Sequence, residues 1–264
     1  MNNDNWTKWV EERILKILNE KVLTQKVVEI VRKQDKKVHI IPKKYRILAG
    51  LLQSINIQFG NFIEEFITKL LELDGRYEII KKYSNKRNNS FKLNNLNEKI
   101  IDEYINKQPT VKSDVEYEFS NLQQTLVLNS INYPENSHQT IQDVDLLFKN
   151  KISNEIYYLE IKYNDDHDTG KFININKKLI RTYSCLIEEF EVKDKENIKP
   201  ILFYFNDKKK KENCYLPEKT VILRGKEFFE KFLKIDYEEV SNYLSKLSEN
   251  NFVKKQFERI IKEL

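Results

Sequence analysis

Apolar residues recur along this 264-residue chain first at helical and later at strand-like spacing. Trp9, Ile14, Leu15, Leu18 and Val22 recur at helical spacing, followed by Val27, Val28 and Val31, and predict two helices. A third opens at Pro42, since a first-turn proline lacks only an N–H that would have no partner there, and carries Leu48, Leu51, Leu52 and Ile55. A fourth, over residues 61–73, turns Phe62, Ile63, Phe66, Ile67, Leu70 and Leu71 inward and ends near Gly75. Residues 84–106 are rich in Asn and Lys and predict a connecting segment, with a helical patch around Ile100, Ile101 and Tyr104.

Beyond that segment the period shortens. Residues 125–128 predict a strand, and residues 143–149 and 156–163 predict two more, joined by a polar turn over 150–155. Residues 176–190 read as helix. The run Pro-Ile-Leu-Phe-Tyr-Phe at 200–205 is nearly all apolar, as a strand buried on both faces should be. Four lysines at 208–211 predict a solvated hairpin tip, and a strand at 221–223, a helix at 225–233 and helical residues 238–264 complete the chain. Strands with helices before, between and after them predict an α/β fold. The expected architecture is a mixed β-sheet core over residues 59–264, with a helical N-terminal region over 1–58.

Composition narrows this only a little. The chain is 40% hydrophobic and 33% charged, but its apolar residues are clustered enough to build a core. The net charge of +5 comes with an abundance of Lys, Asn and Ile typical of AT-rich coding, so it does not by itself single out a nucleic-acid partner. Cys185 and Cys214 form no C-x-x-C pair, and three scattered histidines argue against a His-based zinc site. No apolar run is long enough to span a bilayer, and the first residues carry no apolar signal core; the expectation is a cytoplasmic protein.

The segment that carries chemistry is Asp-Val-Asp-Leu-Leu-Phe at 143–148 followed by Ile-Tyr-Tyr-Leu-Glu-Ile-Lys-Tyr at 156–163. Residues two apart share a strand face, so Glu160 and Lys162 point one way while Leu159 and Ile161 point into the core. Asp143, Asp145 and Leu147 are expected to share a face of the preceding strand. A hairpin would bring the carboxylates of both strands together beside one lysine. Two carboxylates and a backbone carbonyl give the all-oxygen coordination that Mg²⁺ prefers, and such an ion polarises a phosphate and acidifies a bound water. A neighbouring lysine can orient that water and offset developing charge. An E-x-K alone is a common surface ion-pair pattern. Here the charges interrupt strongly apolar strands, where unpaired charge is costly.

The pair of strands D…E-x-K, with a helix carrying Glu64 and Glu65 upstream, resembles the PD-(D/E)xK nuclease superfamily, and within it the type II restriction endonucleases, over residues 60–233. The resemblance implies that Asp145, Glu160 and the Ile161 carbonyl bind Mg²⁺, that Lys162 is catalytic, and that Glu64 or Glu65 assists. Val144 stands where many members have proline, which leaves Asp143 as a competitor of Asp145. The acidic-polar loop at 163–171 resembles that of enzymes cutting GANTC-like short palindromes. The resemblance further implies double-stranded DNA as substrate, a homodimer and a cognate DNA methyltransferase. Lys43, Lys44 and Arg46, at a helix start where N–H groups favour phosphate, and Lys171, Lys177, Lys178 and Arg181 are the candidate DNA contacts. A structure-reading repair or junction-resolving nuclease, and a non-catalytic DNA-binding module, are the competing functions.

Overall fold

In the computed structural model, which describes residues 3–35, 38–111, 113–209 and 212–263, the helical periodicity of the first quarter forms α1 (Asn3–Ile17), α2 (Glu20–Asp35) and α3 (Lys43–Asp74). The two helices expected within residues 42–73 are one helix of 32 residues. No proline interrupts it, and Gly60 in its interior costs only about 1 kcal/mol relative to alanine. There follow β1 (Tyr77–Ile79), β2 (Lys86–Asn94), α4 (Asn95–Lys107), α5 (Val115–Asn132), β3 (Ser137–Val144), β4 (Leu146–Asn150) and β5 (Ile156–Lys162). The chain continues through α6 (Thr169–Glu189), β6 (Ile198–Tyr204), β7 (Ile222–Arg224), α7 (Gly225–Phe232), α8 (Tyr237–Ser248) and α9 (Asn251–Glu263). The expected hairpin tip at 208–211 falls partly outside the described residues, as does Leu264 at the end of the last helical stretch. Among the described residues, no helix is long and apolar enough to cross a membrane.

The chain divides into two compact units, Met1–Lys69 with Lys234–Leu264, and Leu70–Leu233. In the first, α1, α3 and α8 share an aromatic core in which Trp6 meets Tyr243 edge-on at 5.0 Å and Trp9 stacks on Phe62 at 5.9 Å. A smaller apolar cluster of Ile30, Ile47 and Leu51 joins α2 to α3.

The second unit is built on a five-stranded mixed sheet of order β1-β4-β5-β6-β7, with a separate two-stranded sheet of β2 and β3. β1, β4 and β5 are antiparallel neighbours, whereas β5, β6 and β7 run parallel, the crossover from β5 to β6 being α6. One face buries Leu147, Tyr158 and Leu202 with Leu179, Tyr183 and Leu186 of α6 in a common core. On α7, Phe228 stacks on Phe203 at 4.1 Å, and Phe232 meets Phe148 and Tyr157 at 5.5 and 5.0 Å. Both faces of the central strands are therefore covered, which is why β6 is almost wholly apolar.

Three sequence expectations are corrected. Residues 125–128 are helical, lying inside α5. Asp114 caps that helix by accepting from the Glu116 N–H, and Phe119, Leu122 and Leu126 make a buried stripe at helical spacing. The segment 84–106 is not a connection but β2 and α4. Asn85 and Asn88 adopt positive φ around the irregular start of β2, and buried Asn94 caps α4 through the Leu96 and Asn97 N–H groups. The strand expected over 143–149 is split at Asp145 into β3 and β4. The β4–β5 hairpin itself is present. Asn150 Oδ1 accepts from the N–H groups of Ile152 and Ser153, and Asn154 takes the left-handed conformation that closes its turn.

Candidate active site

Asp145 stands where the chain leaves the small sheet and enters the large one. Val144 pairs with Lys86 on β2, whereas Leu146 pairs with Leu159 on β5. The Asn85 N–H donates to the Asp145 carbonyl at 2.9 Å, and Ser84 Oγ both donates to the Leu147 carbonyl and accepts from the Leu147 N–H, each at 2.9 Å. Released from strand alternation, the Asp145 side chain turns to β5, where Oδ2 accepts from the Ile161 N–H at 2.8 Å. Asp143 does not follow. Its carboxylate accepts from the Asn88 N–H at 2.8 Å across the small sheet, so the expected shared face of Asp143, Asp145 and Leu147 does not exist.

Glu160 is wholly buried, and taking a carboxylate out of water costs several kcal/mol unless it is paired. Two ammonium groups pair it. Lys162 Nζ lies 2.6 Å from Glu160 Oε1, 3.4 Å from Asp145 Oδ2 and 2.8 Å from the Ile161 carbonyl oxygen. Lys178 Nζ, from α6, lies 2.8 and 2.6 Å from the two Glu160 oxygens and 3.5 Å from Asp145 Oδ1. The Tyr158 hydroxyl, also buried, donates to Glu160 Oε2 at 3.2 Å. Two carboxylates and two ammonium groups thus close a neutral cluster at the carboxyl end of β5. Burial opposes the charge on Lys178, but the Glu160 and Asp145 carboxylates outweigh it and hold its pKa above the ordinary lysine value. Burial, then the same carboxylates, push the Tyr158 phenol well above its usual range, so it stays a donor.

The structure therefore brings Asp145, Glu160, Ile161 and Lys162 together and adds Lys178, expected from sequence only as a DNA contact. A signal for it exists: Lys178 shares a helical row with buried Thr182 and Cys185, where a lysine needs a partner. Lys177 pairs with Asp102 at 2.6 Å and Arg181 with Glu98 at 2.5 Å, both on α4. Lys171 is exposed in the first turn of α6, its N–H donating to the capping Asp168. Lys43 pairs with Asp35, Arg46 donates to Gln34 at 3.1 Å and Lys44 is exposed, all in the helical unit. Glu64 and Glu65 also belong to that unit, and Glu65 pairs with Arg13. Among the described residues no group of three or more His, Cys, Asp or Glu side chains gathers to hold a metal ion. The donor set here is two carboxylates and one carbonyl, all hard oxygen, and the Lys178 ammonium already occupies the position of a cation between the carboxylates.

Beside the cluster, buried Arg224 at the end of β7 donates to Asp165 at 3.1 Å and to Glu218 at 3.0 Å. Asp165 lies in the loop between Lys162 and α6, so this clamp fixes the segment that links the two lysine-bearing elements. The Tyr204 ring lies 5.4 Å from the guanidinium, and burial, with Asp165 next, pushes its phenol up to about 12.

A mixed sheet covered by helices, with D…E-x-K converging at the carboxyl end of a central strand, defines a nuclease of the PD-(D/E)xK type. The model of the family described as "HinfI: Type II restriction endonuclease, HinfI" matches residues 2–248. The chain belongs to this family of site-specific DNA endonucleases. It is 44% identical to the type II restriction enzyme HinfI of Haemophilus influenzae over 265 residues, covering 99% of this chain and 98% of that protein. No solved structure matches it.

Removing the clamp tests its structural weight. Arg224→Met is expected to destabilise the protein by about 3–5 kcal/mol in urea unfolding, because it removes the buried guanidinium that pairs with both Asp165 and Glu218. A loss below about 1 kcal/mol would show that Asp165 is satisfied without the guanidinium.

Proposed function

We propose that the chain hydrolyses double-stranded DNA at a short palindromic site by a Mg²⁺-dependent mechanism centred on Asp145, Glu160 and Lys162. The observation that carries this reading is the buried Glu160 carboxylate sharing two ammonium groups with Asp145. Asp145, Glu160 and the Ile161 carbonyl would hold Mg²⁺, which when bound supplies positive charge at the phosphate and acidifies an attacking water. The Asp145 carboxylate is oriented for this by the Ile161 N–H, which ties it to the same strand as Glu160. Lys162 is anchored by the Ile161 carbonyl; its ammonium orients the water and offsets charge developing on the phosphate. A helix glutamate, Glu64 or Glu65, is proposed to assist, as the family resemblance implies.

Exposed Lys171 and Lys44 are the best supported of the proposed phosphate contacts, since Lys43, Lys177 and Arg181 are held in ion pairs. The helical region at 1–58 is proposed as a DNA-binding or dimerisation annex. A palindrome presents the same base edges on both strands, which two copies related by a two-fold axis would read. The loop over 163–168, clamped by Arg224, is proposed to contribute to that reading, with a pentanucleotide carrying an unread central base as the target. Such an enzyme would work in the cytoplasm beside a methyltransferase that protects the same site.

Plasmid DNA incubated with the protein and Mg²⁺ should give discrete fragments whose ends share one short palindrome, and excess EDTA should stop the reaction. Asp145→Asn should lose cleavage while keeping the fold, and Lys162→Met should lose about 10²–10³-fold in rate. Cutting in EDTA, or an active Asp145→Asn beside an inactive Asp143→Asn, would overturn the site. Fragments with no common end sequence, or preference for four-way junctions, would overturn the palindrome.

A further inference from the structure

Lys162 and Lys178 neutralise the same two carboxylates but are held differently. Lys162 sits two residues from Glu160 on one strand and is also fixed by the Ile161 carbonyl. Lys178 comes from a different element, and its only ion-pair partners among the described residues are Glu160 and Asp145. Its side chain is 30% exposed while that of Glu160 is 1% exposed, so the ammonium lies between a buried anion and solvent. Lys177 and Arg181, on the same helix, are tied to Asp102 and Glu98 and do not share this position. Every oxygen donor in the site is thus in contact with an ammonium group.

We propose that Lys178 is a built-in counter-ion for the site: it stands in for the divalent cation in the ion-free protein and must yield its place when the ion binds. The inference rests on the reading of Asp145 and Glu160 as ion ligands. Its basis is charge balance. With Lys178 in place the cluster is neutral, so adding a doubly charged ion leaves two uncompensated positive charges in a largely buried site. If the Lys178 ammonium moves away, only one remains, and that is offset when a DNA phosphate arrives. The displaced ammonium, on a side chain that already reaches solvent, then has a neighbouring phosphate of the DNA backbone as a new anionic partner. Lys178 therefore opposes ion binding to the free protein and couples it to DNA binding; by linkage, the ion strengthens DNA binding by the same factor. Lys178 is a positioning residue here, not a ligand.

The test is Ca²⁺ binding by titration calorimetry in the absence of DNA, on the whole chain, with thermal unfolding of the ion-free protein alongside. Lys178→Met removes the charge; Lys178→Gln removes it but keeps a hydrogen-bond donor toward Glu160, which guards against misfolding of the first variant; Lys178→Arg keeps the charge. The Met and Gln variants are expected to bind Ca²⁺ about tenfold or more tightly than the unmodified protein, because the ion no longer has to displace an ammonium from the carboxylates, and to melt at lower temperature without it. The Arg variant should bind as the unmodified protein does. In the Met and Gln variants, Ca²⁺ should enhance the affinity for duplex DNA by a smaller factor than in the unmodified protein. Ca²⁺ affinity unchanged or weakened in folded Met and Gln variants, with binding abolished by Asp145→Asn, would overturn the counter-ion role alone. Ca²⁺ binding that Asp145→Asn leaves intact, or no saturable binding to any form, would overturn the ion-ligand reading and this inference with it.

Discussion

Glu160 carries its charge on a strand with no exposure to solvent, and the arrangement of the site follows from keeping that charge there. A buried carboxylate is tolerated only where compensating charge and donors are close and correctly aimed. Lys162, Lys178 and Tyr158 supply them from two elements, β5 and α6. Because the two elements are consecutive and joined by a loop whose Asp165 is clamped by Arg224, the lysines are fixed relative to each other through a second buried ion pair. The site is thus a pair of linked charge clusters at the carboxyl ends of three parallel strands, the end at which α/β sheets commonly present their chemistry.

The split between β3 and β4 serves the same end. A continuous strand would have held Asp145 to the alternation of its neighbours. By changing sheets at that residue, the chain frees the Asp145 side chain to accept from the Ile161 N–H and so stand beside Glu160. The backbone groups around the changeover are satisfied by Ser84 and Asn85, just before the two-stranded sheet. That small sheet occupies Asp143, which leaves Asp145 as the carboxylate available to β5.

Much of this was legible in the sequence where the information is local. Period-two alternation gave β5 and the shared face of Glu160 and Lys162; the polar turn gave the β4–β5 hairpin; the unbroken apolar run gave β6. What was missed depends on distant partners. β2 is rich in Asn and Lys and becomes a strand only through its pairing with β3, with positive-φ Asn85 and Asn88 absorbing the irregularity. The Thr-Leu-Val-Leu of residues 125–128 favours a strand locally, but a capped helix with a buried stripe overrides that preference. Lys178 was expected only as a DNA contact. Its place in the site is set by how α6 lies across the sheet, which sequence spacing does not encode.

The central claim is that the buried Glu160 charge, and not merely its shape, makes this a cutting centre. Glu160→Gln preserves volume and hydrogen bonding while removing the charge, so cleavage rate and duplex binding should be measured together in that variant. The account predicts a folded protein that still binds its DNA site but cuts it at least about a thousandfold more slowly than the unmodified protein. Cleavage within about tenfold of the unmodified rate would contradict it and place the chemistry elsewhere.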